Sequence, residues 1–259
     1  MELLERARQW ASHDPDPATA CALSADIEAA ERGDEEAAAR VGAAMNGPLQ
    51  FGTAGLRGMV GPGESRMNLA VVIRATAGLC EVIKRHATGT PTLVVGCDAR
   101  YGSSEFARAA CRVASAAGVR VLALPQANPT PLTAFSMLHF DADAGVMVTA
   151  SHNPAPDNGY KVYLGGTVAQ GDGRGVQIVP PFDAEIAAAI EAAPPADEVP
   201  MNDDLIEAVD PREEYVACAS ALASGEPSAR EDLRIVLTAM HGVGAAITSR
   251  VLAEAGFSN

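Results

Sequence analysis

A hydroxyl, an imidazole and a carboxamide follow one another in the sequence at Ser151, His152 and Asn153. They come directly after an apolar run at 146–149, whose β-branched residues predict a short buried strand. Pro154 cannot donate a hydrogen bond to a neighbouring strand, so the strand is expected to end here. Ligands bind beyond the carboxyl ends of strands in open α/β sheets. The three side chains are therefore candidates for a functional site, and an ordinary Asn-Pro turn with an exposed serine is the alternative.

A second stretch with potential chemistry is the glycine-rich segment 51–58, Phe-Gly-Thr-Ala-Gly-Leu-Arg-Gly. Its three glycines let the backbone approach a ligand closely and expose its N–H groups. Thr53 adds a hydroxyl, and Arg57 adds a planar guanidinium that suits a phosphate group. The segment is not a Walker loop, since it lacks Gly-Lys-Ser/Thr, and it is not a Gly-x-Gly-x-x-Gly dinucleotide turn. Taken alone, it does not identify a ligand.

The elements that would position these residues alternate regularly from residue 67 onward. The apolar pattern predicts helices at about 67–86, 103–117 and 130–139, each followed by a short strand, at 92–96, 119–124 and 145–150. Such alternation favours a largely parallel sheet with right-handed crossovers. Polar residues follow each of these strands, namely Asp98-Ala99-Arg100, Asn128-Pro129-Thr130-Pro131 and Ser151. We therefore expect polar groups to gather along one edge of the sheet.

The flanking regions predict a division into three parts. Residues 1–48 read as a helical N-terminal extension of three helices, in which Trp10 is a packing residue. Residues 49–198 form the first α/β domain, which continues with a strand at 160–164 and a helix at about 183–193 and ends in a proline-rich break. Residues 199–259 predict a helix, a strand at 234–237 and a last helix, and so the truncated start of a second α/β domain.

Composition excludes several classes of function. The chain has 259 residues, 48% of them hydrophobic, and a net charge of −14. That charge argues against nucleic acid as a partner, although a few basic groups could still hold one small phosphorylated ligand. The sequence shows neither a membrane span nor a signal peptide. Its five cysteines are widely spaced, which suits a reducing cytoplasm rather than a zinc site.

Taken together, these segments resemble the α-D-phosphohexomutase superfamily of phosphoglucomutases, phosphomannomutases and phosphopentomutases. The resemblance rests on 51–58, the Asp98–Arg100 turn, Pro129-Thr130-Pro131, Thr-Ala-Ser-His-Asn-Pro at 149–154 and Asn-Gly-Tyr-Lys at 158–161. Further similar segments are Gly-Val-Gln-Ile at 175–178 and His-Gly-Val-Gly at 241–244. The helical extension suggests the branch with bacterial phosphosugar mutases and phosphopentomutase-like enzymes. The family fold is a mixed, mostly parallel sheet sandwiched by helices.

The resemblance implies a mutase that interconverts hexose 1-phosphate and 6-phosphate through a phosphoserine and a bisphosphate intermediate. Ser151 would carry the phosphoryl group, with Lys161 as acid and base and His152 contacting the phosphate or orienting the lysine. Thr53, Arg57 and Asn153 would bind the phosphate. The implied cofactors are Mg²⁺ and a glucose 1,6-bisphosphate-type activator, and the substrate is a phosphorylated hexose or pentose.

The metal-binding carboxylates of the family are missing from this sequence. Its Asp-Gly-Asp-x-Asp-Arg loop does not occur, so Ser151 would contact Mg²⁺ only through its phosphate. Neither Gly171-Asp172-Gly173-Arg174 nor Asp141-Ala142-Asp143 is expected to replace that loop. We therefore expect a fragment that is nearly inactive alone; a non-catalytic remnant that binds a phosphorylated ligand or partner is the alternative.

Three further features of the sequence are given a non-catalytic interpretation or none. A serine hydrolase is disfavoured because the Gly-x-Ser-x-Gly elbow is missing. Asp98 and Arg100 are interpreted as a structural ion pair. His241 resembles a family position, but a catalytic role is not assigned to it.

Overall fold

The computed structural model describes residues 3–53, 55–226, 228, 230 and 232–257. Six strands form one sheet in the described residues: β1 (Leu56–Met59), β2 (Thr92–Cys97), β3 (Arg120–Ala123), β4 (Ala144–Val148), β5 (Asp157–Leu164) and β6 (Ile206–Ala208). The sheet order is β1-β5-β4-β2-β3-β6. Strands β4, β2, β3 and β6 pair in parallel, whereas β5 is antiparallel to both β4 and β1. The predicted mixed, mostly parallel α/β fold is confirmed.

Nine α-helices accompany the sheet in the described ranges. They are α1 (Leu3–Ser12), α2 (Pro17–Glu31), α3 (Glu35–Ala44), α4 (Leu69–His86), α5 (Ser103–Ala116), α6 (Thr130–His139), α7 (Phe182–Ala192), α8 (Arg212–Ser220) and α9 (Ala245–Glu254). Helices α4 and α5 cover one face of the central strands, and α6 covers the other. No helix in the described ranges combines the length and the apolar character needed to cross a membrane.

The three N-terminal helices confirm the predicted extension, and their ends have clear local causes. The Asp16 carboxylate accepts a hydrogen bond from the Ala18 N–H at 2.9 Å, and the Asp34 carboxylate accepts one from the Ala37 N–H at 3.0 Å. These side chains satisfy N–H groups that the first turn of a helix leaves unpaired. The extension has its own small core, which includes Leu23, Ile27 and Val41.

The core of the sheet depends on the two-residue repeat of its strands. Tyr160, Val162 and Leu164 point from β5 into the cluster beneath α4 and α5. Lys161 and Tyr163 point to the opposite face, where Tyr163 joins the smaller cluster beneath α6. Strand β5 therefore presents a mostly apolar face to one side and a lysine to the other.

The structure corrects three sequence-based expectations. The glycine-rich segment contains a strand, β1, and the predicted strand at 160–164 begins earlier, at Asp157. A strand at 234–237 was expected from its apolar residues, yet these residues pair with no described strand and Val236 is 96% exposed. Without a neighbouring strand the backbone groups have no ladder partner, and apolar composition alone does not make a strand. The boundary at 198 stays a prediction; β6, beyond it, pairs with β3.

Candidate functional site

Ser151 lies just past the carboxyl end of β4, on an exposed turn. Its φ of +59° is in the left-handed region, which costs a non-glycine residue about 1–2 kcal/mol. The Ser151 N–H donates a hydrogen bond to Thr149 Oγ1 at 2.9 Å, and Ser151 Oγ lies 3.5 Å from His152 Nδ1. The turn thus exposes the hydroxyl with an imidazole nitrogen beside it.

A cavity of about 740 Å³ opens in front of this turn, a volume within the usual range of ligand pockets. One wall consists of Ser151, His152 and Asn153. The turn after β2, the start of α6 and the segment 239–244 line the rest of the cavity. Polar residues after three parallel strands therefore do meet at one edge of the sheet, as the sequence predicts.

Arg100 binds the backbone of the segment 151–157, which we call the serine turn. Its guanidinium donates hydrogen bonds to four carbonyl oxygens, those of Ser151 and Asn153 at 2.8 Å, Pro154 at 2.9 Å and Asp157 at 3.0 Å. The Arg100 Nε atom lies 3.4 Å from the carboxylate of Asp98. The expected ion pair with Asp98 is present, and the contacts with the serine turn are additional to it.

Asparagine side chains brace the same region. The amide of Asn153 donates to the Asp157 carboxylate at 3.0 Å, within the turn itself. Asn158 is fully buried, and its amide donates to the Tyr101 carbonyl at 2.8 Å and to Ser103 Oγ at 2.9 Å. The first residues of β5 are in this way tied to the turn between β2 and α5.

Lys161 and Arg57 lie on neighbouring strands, on the same face of the sheet. Lys161 sits opposite Met147 and Arg57 opposite Gly159. Lys161 is 8% exposed; burial lowers its pKa from the ordinary value, and the nearby charge of Arg57 lowers it further. The Arg57 Nε atom is buried and has no hydrogen-bond partner among the described residues. Two cationic side chains, one of them with an unpartnered nitrogen, therefore lie near one another on this face, an arrangement that suits an anion.

The structure does not bring all the predicted site residues into one cavity wall. Ser151, His152 and Asn153 line the cavity, whereas Thr53, Arg57 and Lys161 do not. Thr53 is exposed in the turn that precedes β1. The link between the two groups is Met147, which lines the cavity and is the cross-strand neighbour of Lys161.

The residues present do not fit a magnesium site. No group of three or more carboxylate, imidazole or thiolate side chains is gathered in the described ranges. The Asp98 carboxylate is already engaged, since its Oδ1 accepts from Ser103 Oγ at 2.6 Å and from the Arg100 N–H at 3.0 Å. Asp143 precedes β4, at the end of the strand opposite Ser151, and accepts from the backbone of Thr92. Neither carboxylate is available to a metal at Ser151.

Sequence reasoning missed the extent to which 239–244 takes part in the cavity. His241 and its neighbours line it, although they follow Ser151 by about ninety residues. The glycines at 242 and 244 next to a histidine were the available signal. Distance along the chain gave no indication that this segment would face the serine turn.

Comparison with known proteins gives concordant matches. The family model described as phosphoglucomutase/phosphomannomutase, alpha/beta/alpha domain I, matches residues 48–196. A "Probable phosphomannomutase" of Haemophilus influenzae is 44% identical over 196 residues, covering 73% of this chain and 38% of that protein. The phosphopentomutase of Homo sapiens is 38% identical over 195 residues, covering 72% of this chain and 30% of that protein.

A solved structure agrees with these sequence matches. The crystal structure described as a "putative phosphomannomutase" from Thermus thermophilus superposes with a TM-score of 0.64 at 30% identity. The match covers 82% of this chain and 44% of that one. The chain thus spans less than half the length of each of these three relatives.

Proposed function

The chain belongs to the phosphoglucomutase/phosphomannomutase family, and on that premise we propose that Ser151 is the phosphoryl carrier of a phosphosugar mutase. The reaction proposed for the full-length protein interconverts hexose 1-phosphate and hexose 6-phosphate through a bisphosphate. The observation that carries the proposal is the Ser151 hydroxyl, exposed on a left-handed turn at the wall of a ligand-sized cavity. A nucleophile held in this way can approach a phosphate in line with its leaving oxygen.

The proposed step moves one phosphoryl group and one proton. Ser151 Oγ attacks the phosphorus of a sugar bisphosphate, an O–P bond forms, and the bond from phosphorus to the sugar oxygen breaks. The hydroxyl proton passes to a base, and the departing sugar oxygen takes up a proton. In the full cycle the phosphoserine first gives its phosphoryl group to the free hydroxyl of a hexose 1-phosphate or 6-phosphate, which forms the bisphosphate. The step above then removes the original phosphoryl group, restores the phosphoserine and releases the isomer.

Lys161 is the proposed acid and base. Its burial and the charge of Arg57 lower its pKa, which increases the fraction of neutral amine able to accept a proton near neutral pH. Arg57 supplies positive charge for the phosphate, and Thr53, four residues earlier in the chain, supplies a hydroxyl. His152, 3.5 Å from Ser151 Oγ, is proposed to contact the transferred phosphate, and Asn153 to bind it with its backbone.

Magnesium and a glucose 1,6-bisphosphate-type activator belong to the proposal only for the full-length protein. No group of three or more possible metal ligands is gathered in the described residues, and the roles proposed above belong to side chains of this chain. We place the reaction in the cytoplasm because all five cysteines are free thiols, which suits a reducing compartment.

The test is phosphorylation of the full-length protein by glucose 1,6-bisphosphate, followed by intact mass and peptide mapping. We expect one added phosphoryl group on Ser151, none in Ser151→Ala, and normal labelling in Ser24→Ala, which alters an exposed serine of α2. A label that maps to another residue overturns the assignment. Turnover of glucose, mannose and ribose phosphates then identifies the sugar, and faster turnover of the pentose would replace the hexose in this proposal.

A further inference from the structure

Two of the three guanidinium nitrogens of Arg100 bind the serine turn, and the third faces Asp98. Nη2 donates to the carbonyls of Ser151 and Asn153, and Nη1 donates to those of Pro154 and Asp157. Nε faces the carboxylate of Asp98 at 3.4 Å. A guanidinium has five N–H donors in a fixed plane, and here each nitrogen faces an acceptor.

Asp98 is in turn fixed by its own neighbours. Its Oδ1 accepts from Ser103 Oγ at 2.6 Å and from the Arg100 N–H at 3.0 Å. Ser103 is buried and also accepts from the buried Asn158 amide. The guanidinium therefore projects from a rigid base between β2 and α5 and cannot easily follow a movement of the serine turn.

We propose that Arg100 is a positioning residue that holds the serine turn in the one conformation that presents Ser151 Oγ to the cavity. The left-handed backbone of Ser151 is disfavoured in isolation, so an outside constraint must maintain it. The bond from Arg100 to the Ser151 carbonyl constrains the peptide that follows this residue, and the other three bonds hold the remainder of the turn. The effect on phosphoryl transfer rests on the proposed function; the effect on the turn does not.

Lysine cannot replace Arg100 in this role. An ammonium group offers three donors from a single atom, whereas four carbonyl oxygens and a carboxylate surround the planar guanidinium. Arg100→Lys therefore keeps the charge and loses most of the geometry. This variant separates positioning from a purely electrostatic contribution, which lysine would preserve.

The test compares Arg100→Lys with Arg108→Lys in the full-length protein. Arg108 lies on the exposed side of α5 and is a matched control outside the cavity. Hydrogen exchange is followed at the amides of Ser151, Asn153 and Asp157, and phosphorylation of Ser151 by glucose 1,6-bisphosphate is followed in single-turnover experiments. We expect exchange about tenfold faster or more in Arg100→Lys, since charge-assisted hydrogen bonds are lost. The maximal phosphorylation rate should fall about 100-fold, while half-saturating donor concentration changes little.

The two readouts distinguish the possible failures. Unchanged exchange in Arg100→Lys overturns the inference, whatever the fate of the reaction. Faster exchange with an unchanged phosphorylation rate also overturns it, because the turn would then move without consequence. A smaller folded fraction would lower the amplitude of labelling and leave its rate constant unchanged, which again contradicts positioning. If the wild-type protein is not labelled at all, the proposed function fails and exchange alone decides the role of Arg100 in the turn.

Discussion

Gly159 on β5 separates the strand that carries Arg57 from the segment that leads to Ser151. A Cβ atom added here would lie 2.6 Å from the Leu56 carbonyl oxygen and 2.7 Å from the Thr149 carbonyl oxygen. Both distances are too short for a carbon–oxygen contact, and both partners are backbone. The substitution Gly159→Ala therefore has to push the neighbouring segments apart.

Gly145 on β4 provides a matched control. A Cβ atom there would first meet Met137 Sδ at 3.4 Å, which is ordinary van der Waals contact with a flexible side chain. Both substitutions remove the same glycine freedom from the unfolded chain, worth about 0.4–1 kcal/mol of stabilisation, so this contribution cancels in their difference. The difference that remains is overpacking at Gly159, about 1–3 kcal/mol.

Urea unfolding of the two variants measures this difference directly. We expect Gly145→Ala to equal or exceed the wild type in its free energy of unfolding, and Gly159→Ala to fall below both. A gap of about 2 kcal/mol corresponds to melting temperatures about 4–8 °C apart for a chain of this size. Equal stability of the two variants would refute the close approach of backbone at Gly159, and with it the described spacing of β1, β5 and the end of β4.

Three other predictions follow from buried polar groups. Lys161→Met should raise the free energy of unfolding at neutral pH, measured by urea titration. This gain should shrink as pH rises towards 10.5, because the pKa of Lys161 is lower in the folded than in the unfolded wild type, so the folded protein loses the buried charge at a lower pH. Tyr160→Phe removes a buried 3.0 Å hydrogen bond to Thr76 Oγ1 and should cost about 1 kcal/mol; pairing it with Thr76→Val in a double-mutant cycle should give less than the sum. A thiol reagent should modify the exposed Cys21 and Cys218 in the native protein, and the buried Cys80, Cys97 and Cys111 only after unfolding. In the folded protein, burial raises the pKa of Cys80 and of Cys111 to about 12, which keeps these thiols protonated and unreactive.

Periodicity predicted the elements that bury a continuous apolar face. Helix α4 is the clearest example, since apolar residues recur along it at helical spacing and Asn68 caps its first turn by accepting from the Val71 N–H. Strand β4 is fully buried and reads as an unbroken apolar run. These signals are local, so the sequence alone is sufficient to find them.

Local sequence signals could not predict which distant segments pair as strands. Strand β6 has only three residues, two of them exposed, and it is a strand because Val121 to Ala123 of β3 lie beside it. The segment at 234–237 has the better strand composition, yet no described neighbour pairs with it. A strand is defined by its partner as much as by its residues, which explains both errors.

The candidate site, likewise, could be predicted only where its signals are local in the sequence. Ser151, His152 and Asn153 were identified from their types and their place after a strand, and the structure places all three on one cavity wall. The interpretation of Arg100 as a simple ion-pair partner was incomplete, because its four carbonyl acceptors lie more than fifty residues further along the chain. A side chain that binds backbone leaves no complementary residue type in the sequence to reveal it.

Residues with unfavourable backbone conformations also lie at or next to the cavity in front of Ser151. Four non-glycine residues in the described ranges have left-handed φ values, namely Ala127, Asp141, Ser151 and Met240. Ser151 and Met240 line the cavity, and Ala127 directly precedes Asn128, which also lines it. Such conformations persist only where surrounding contacts enforce them, and they concentrate at functional sites. Motif, cavity and left-handed backbone coincide at Ser151, which supports the proposal that this residue carries the phosphoryl group.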